Sequence, residues 1–186
     1  MAEQLYFAYG SNMDLDQMEF RCPAAVVMEN VRLDGYRLAF CGKNPGCGVA
    51  TILPVEGSHV DGVLWKITSE CERSLDGYEG YPRLYGKETI HVQNAEGKSR
   101  EVMVYTMNTP YKDHLAEPSQ IYLRGILRGC RQNGLPTGHI KEAVKRSRAE
   151  ERTGLQKAEG NKRKQSHAGE KTERQTDRNR KTNRER

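Results

Sequence analysis

Six runs of strand-forming residues crowd the chain between Leu5 and Met107, separated by turns rich in Gly and Pro, and this succession does most to limit the possible folds. The runs are Leu5 to Tyr9, Val31 to Cys41, Val49 to Pro54, Val60 to Ile67, Leu84 to Gln93 and Arg100 to Met107. Strands that follow one another so closely favour a mixed or antiparallel sheet, and such a sheet can close into a barrel. Three helices are expected beside it, at Asp14 to Phe20, Ser69 to Asp76 and Ser119 to Asn133. Ser69 and Glu72 have capping-box spacing for the second, and Gly77 supplies its stop. In the third, Ile121, Leu123, Ile126, Leu127 and Cys130 lie mostly three or four apart, which marks a buried face; Gly134-Leu135-Pro136 ends it. The expected fold is α+β, a small mixed barrel-like sheet flanked by a few helices, in a domain over residues 1–140.

Charge divides the chain near the same point. Residues 141–186 hold 16 Lys or Arg against 8 Asp or Glu, whereas the first 140 hold 14 against 17, so the net +5 of the chain belongs to its C-terminal segment. Beyond Thr153 the only apolar side chains are Leu155, Ala158 and Ala168, too few to offset the entropy of ordering. Residues 141–186 are therefore expected to form a charged, largely disordered tail, with Lys141 to Arg152 able to extend a helix before it. Such a tail can touch nucleic acid or an acidic partner weakly through charge alone, or serve only as a solubilising appendage. No aromatic residue interleaves its charges, so base stacking is not implied.

Five cysteines, Cys22, Cys41, Cys47, Cys71 and Cys130, are scattered without a CxxC pair. The odd count and the lack of a signal peptide argue for reduced thiols and a cytoplasmic protein. Cys41 and Cys47 with His59 or His91 match no common zinc spacing, so no metal is expected. No apolar run approaches the length of a membrane span. Gly42, Gly46 and Gly48 lack the Lys-Ser/Thr ending of a phosphate loop, and Asn44-Pro45-Gly46 reads as a turn.

Two places carry candidate chemistry. Tyr6-Phe7-Ala8-Tyr9-Gly10-Ser11-Asn12 reads as a strand that delivers a tight polar loop into a helix N-terminus. Unpaired backbone N–H groups there can hold an anion such as a carboxylate, with Ser11 and Asn12 as further donors. The alternative is a plain helix cap, with Ser11 or Asn12 as the N-cap and Asp14 in the first turn. The second place is Leu75-Asp76-Gly77-Tyr78-Glu79-Gly80-Tyr81-Pro82. A helix ending near Gly77 puts Glu79 just past its C-terminal carbonyls, which push a carboxyl pKa up, and Tyr78, Tyr81 and Tyr85 can wall it with low polarity. A carboxylate so placed is a better general base; the alternative is a solvated Glu in a Gly/Pro turn.

Five blocks in order over residues 5–136 resemble the γ-glutamylcyclotransferase (AIG2-like) family: YFAYGSNM at Tyr6 to Met13, GVATI at Gly48 to Ile52, VDGVLWKI at Val60 to Ile67, SLDGYEG at Ser74 to Gly80, and PSQIY followed by GCRQNGLP. The resemblance implies a barrel-like α+β fold and an enzyme that releases a γ-glutamyl group as 5-oxoproline. It implies that Tyr6, Phe7, Ala8, Tyr9, Gly10 and Ser11 cradle the amino-acid end of a small γ-glutamyl substrate, that Glu79 is the proton acceptor, and that Tyr122 contacts the substrate. It also implies that no metal, nucleotide or redox cofactor is needed. The short Tyr81-Pro82-Arg83-Leu84-Tyr85 turn is shared with relatives acting on γ-glutamylamines or γ-glutamylated antibiotics, so the leaving amine stays open. Two other readings stay open as well: a binding or regulatory protein that holds such a ligand without turnover, and a nucleic-acid-associated protein acting through its tail.

Overall fold

The computed structural model describes residues 3–153. Residues 154–186, on which most of the expected tail and its contacts fall, lie outside the described residues. Strands β1 (Glu3–Ala8), β2 (Val26–Cys41), β3 (Val49–Thr68), β4 (Tyr85–Asn94) and β5 (Ser99–Met107) close into a barrel in the order β1-β3-β2-β4-β5. Its neighbours are antiparallel except where β1 meets β5, a parallel pairing through Tyr6 and Met103. The sheet is therefore mixed, and the barrel-like α+β fold expected from the strand succession is the one present.

The runs Val49 to Pro54 and Val60 to Ile67 belong to one strand instead of two. β3 pairs with β2 from Cys41↔Val49 to Val26↔Lys66, so the two form a long bent hairpin. The bend falls between Asp34↔His59 and Tyr36↔Pro54, where β3 inserts residues opposite the single Gly35. Gly35 and Gly57, with φ of 78° and 74°, take the left-handed conformations that such an irregularity needs. The Glu56-Gly57-Ser58 segment that reads as a turn is thus a bulge. β2 also begins five residues earlier than expected; Val26, Val27 and Met28 are exposed, so no buried alternation marks this part as a strand.

Helix α1 (Leu15–Arg21) follows β1, α2 (Ser69–Glu79) follows β3, α3 (Gln120–Gln132) follows β5, and α4 runs over 138–153. The cap of α1 is Asp14, not Ser11 or Asn12, because Ser11–Met13 coil into a 3-10 turn of their own. In α2 the cap is Thr68, which accepts from the Cys71 N–H, in place of the expected Ser69–Glu72 box. This helix also passes through Gly77 and stops at Gly80, whose left-handed backbone (φ 65°) lets Gly80 and Tyr81 close back onto Asp76 and Gly77. Glu79 is consequently the last helical residue and not a residue beyond the end. On α3, Ile126 and Cys130 are buried as expected, but Ile121 is 77% exposed, while its neighbour Tyr122 turns inward to Ala50. α4 buries Ile140, Ala143 and Ser147 at helical spacing.

The core draws on Phe7, Leu38, Phe40, Leu64 and Ile67 of the strands and on Met18, Leu75 and Ile126 of the helices. All five cysteines are free thiols, with only Cys47 exposed. Among the described residues no cluster of His, Cys, Asp and Glu could hold a metal, and no helix is long and apolar enough to cross a membrane.

Candidate active site

β1 runs into the barrel wall and stops at Ala8, where Tyr9 and Gly10 lead into the 3-10 turn. The turn is closed by Met13 N–H donating to Gly10 O at 3.0 Å and Asp14 N–H to Ser11 O at 3.2 Å. Asp14 is fully buried and accepts from the N–H groups of Asp16 and Gln17. It also accepts from Arg128 Nε at 2.6 Å, which ties α3 to the loop. Burial acts to raise its carboxyl pKa, but Arg128 and Gln17 outweigh it and hold the group below the ordinary carboxylate range. Asn133 Nδ2 adds a 2.8 Å bond to Met13 O. The loop is therefore clamped from behind by α3.

In front of the loop lies a cavity of about 210 Å³. That is below the roughly 300–1,000 Å³ of drug-sized pockets and suits a group of amino-acid size. Of the residues expected to act together, Tyr6, Tyr9, Gly10, Ser11, Glu79 and Tyr122 all line it, although Glu79 and Tyr122 lie far along the chain from the loop. Phe7 and Ala8 do not. The Phe7 ring is fully buried against β3, where a Cβ on Gly62 would lie 2.6 Å from it, and Ala8 pairs with Val63 inside the sheet. Gly10 brings backbone to the cavity: a Cβ there would stand 3.2 Å from Ala50 Cβ and 3.6 Å from the Tyr122 hydroxyl. Of the three tyrosines expected around Glu79, Tyr85 lines the cavity and is buried, and Tyr78 lines it while half exposed. Tyr81 is turned away, with its ring 4.5 Å from Lys87 Nζ, because the helix continues through Gly77 and swings it outward.

Glu79 enters the cavity from the end of α2, and its Oε1 accepts from Asn12 Nδ2 at 2.8 Å. The same Nδ2 donates to the Tyr6 hydroxyl oxygen at 2.8 Å, and Asn12 Oδ1 accepts from Arg21 at 2.5 Å. Burial pushes the Glu79 carboxyl from its ordinary 4.5 up to about 7, against the opposing pull of the Asn12 amide and the Arg21 charge. Burial is thus the main cause, with walls supplied by Tyr6, Tyr9, Tyr85 and Tyr122. Burial also raises all four phenols, so they stay protonated at neutral pH.

Their hydrogen atoms are not all used. Tyr9 donates to Tyr105 O at 2.6 Å and Tyr85 to Ala50 O at 2.5 Å. Tyr122 instead accepts from the Ala50 N–H at 3.1 Å, as Tyr6 accepts from Asn12. Tyr6 and Tyr122 are left with hydroxyl hydrogens that have no recorded acceptor among the described residues. The site therefore combines a base near neutrality, two such O–H donors and a loop whose opening N–H groups have no partner within their own turn. In the sequence Asn12 reads as a donor or a helix cap, and Arg21 carries no sign of a role in the site. Asn12 was signalled by its place in the polar loop, whereas no local feature marks Arg21, a residue at the end of α1.

The family model described as gamma-glutamyl cyclotransferase, AIG2-like, matches residues 6–124, which include the loop, Glu79 and Tyr122. The chain is 36% identical over 145 residues to the gamma-glutamylcyclotransferase of Bos taurus, covering 74% of this chain and 76% of that one. With the gamma-glutamylcyclotransferase of Homo sapiens it shares 36% identity over 140 residues, 71% and 72% of the two chains. A solved structure titled gamma-glutamyl cyclotransferase superposes with a TM-score of 0.68 at 32% identity, covering 77% of this chain and 87% of the other. On this evidence, and with the loop, the buried glutamate and the tyrosine walls in one cavity, the chain belongs to the gamma-glutamyl cyclotransferase, AIG2-like, family.

Proposed function

We propose that this protein cyclises the γ-glutamyl group of a small substrate to 5-oxoproline and frees the amine, with Glu79 as the proton carrier. The observation that carries the reading is a carboxyl held near pH 7 in an amino-acid-sized cavity, opposite a loop suited to a carboxylate. The substrate's α-carboxylate meets the backbone around Gly10 and Ser11, where N–H groups favour an anion. Glu79 takes a proton from the α-ammonium. The freed nitrogen attacks the γ-carbonyl carbon, a new C–N bond closes the ring, and the carbonyl pair moves onto oxygen.

That oxygen needs donors that are in place beforehand, which the loop N–H groups and the Tyr6 and Tyr122 hydroxyls can supply. Collapse breaks the original amide C–N bond. The α-nitrogen gives up two protons and the departing nitrogen gains two, and Glu79 carries them one at a time. Because attack is intramolecular, holding the chain folded supplies much of the acceleration. The free thiols fit a reducing compartment such as the cytoplasm. Incubation with a panel of γ-glutamyl amino acids, γ-glutamylamines and larger γ-glutamylated compounds, followed by mass spectrometry, should show 5-oxoproline and free amine in equal amounts. Ligand binding without either product would support the binding-protein reading instead.

A further inference from the structure

We propose that Arg21 and Asn12 form a relay that positions Glu79 and sets how readily it exchanges protons, the neutral Asn12 amide keeping the Arg21 charge one group away from the carboxylate. The catalytic consequence rests on the cyclotransferase reading; the geometry does not. A guanidinium has only donors, so Arg21 at 2.5 Å must face the amide oxygen of Asn12. The amide nitrogen is thereby forced toward Tyr6 and Glu79, where it makes its two 2.8 Å bonds. The reversed amide would set its oxygen against a carboxylate and its nitrogen against a cation. Each side-chain atom of Asn12 that can form a hydrogen bond is thus committed, and Trp65 Nε1 anchors its carbonyl oxygen at 3.1 Å.

Arg21 is itself held in one plane. It donates to Gln17 Oε1 at 2.5 Å and to Ser11 Oγ at 3.2 Å, and its Cζ lies 3.5 Å from the centre of the Tyr78 ring. Its carbonyl oxygen accepts from Ser74 Oγ at 2.7 Å, which joins the end of α1 to the helix that presents Glu79. Among the described residues Arg21 forms no ion pair with Glu79, and its guanidinium is occupied by Asn12, Gln17 and Ser11. A direct pair would keep the carboxylate ionised and make it a poor base. The other groups that can titrate or donate around Glu79 are neutral hydroxyls: Tyr6 from β1, Tyr9 and Ser11 from the loop after it, Tyr78 from α2, Tyr85 from β4, Tyr105 from β5 and Tyr122 from α3. Arg21 is therefore the one full charge that acts on it within this set.

The relay predicts that removing the Arg21 charge makes Glu79 hold its proton more tightly. The full chain with 13C-labelled glutamate carboxyls is titrated by NMR, with the Glu79 resonance assigned by its loss in Glu79→Gln, alongside the pH profile of kcat/KM on a γ-glutamyl dipeptide. In Arg21→Met the Glu79 midpoint should rise by about one pH unit. Arg21→Lys keeps the charge without the planar fork, so it should restore the midpoint but not kcat. An unchanged midpoint in Arg21→Met overturns the relay, even if activity falls, because a purely structural role would lower activity without moving the titration. If no γ-glutamyl substrate is turned over by the unaltered protein, the cyclotransferase reading fails, while the NMR titration still decides the relay.

Discussion

Glu79→Gln is expected to lower kcat/KM for a γ-glutamyl substrate by about 10²–10⁴-fold, the range that general acid–base catalysis supplies. Gln is nearly isosteric and its amide oxygen can still accept from Asn12 Nδ2, so the cavity keeps its shape and only proton transfer is lost. The same substitution should change how stability depends on pH. The folded protein binds the Glu79 proton more tightly than the unfolded chain, with midpoints of about 7 and 4.5. This contribution is therefore whole below pH 4.5 and disappears as pH rises through 7. Relative to the variant, the unaltered protein should lose at most about 3 kcal/mol across that window. Steady-state kinetics with thermal melts at pH 5 and pH 8 test both halves, and undiminished turnover in the variant would refute the role of Glu79.

Gly129→Ala should destabilise the fold and raise KM together, although Ala is the better helix former by about 1 kcal/mol. A Cβ at Gly129 would lie 2.6 Å from both the Asp14 nitrogen and the Met13 carbonyl carbon. These are backbone atoms of the clamped loop and cannot rotate away. α3 has to move off the loop that carries Asn12, and overpacking of this kind typically costs about 1–3 kcal/mol. For a domain of this size each kcal/mol lowers Tm by about 2–4 °C. Gly77→Ala is the control, since nothing lies within 4 Å of the added Cβ on α2. It should leave Tm unchanged or raise it. Calorimetry on the two variants separates the close approach from the general preference of helices for Ala.

Much of the site was legible in the residues because its parts are locally marked. Tyr6 to Ser11 announces a strand that breaks into glycine and small polar residues, and Glu79 sits among glycines and tyrosines at a helix end. What joins them is not local: the barrel brings the loop and Glu79 together across 67 residues of chain. Arg21 was invisible because its function depends on Asn12 and Tyr78 being folded beside it. Gly77 reads as the stop of α2, but the closing bonds to Asp76 and Gly77 come from Tyr81 and Gly80, so the helix ends three residues later. That later end decided that Tyr81 faces Lys87 instead of the cavity. Likewise Gly57 reads as a turn in sequence and proves to be a bulge, because β2 is long enough to pair on both sides of it.

The pH dependence of kcat/KM for the unaltered protein, on a γ-glutamyl substrate that it turns over, tests most directly whether Glu79 is the base. If a buried Glu79 must be ionised to start the reaction, the profile rises with an apparent pKa of about 7 and that limb is missing from the residual activity of Glu79→Gln. A limb near 4.5, or one that persists unchanged in the variant, would show that the buried carboxylate is not the base.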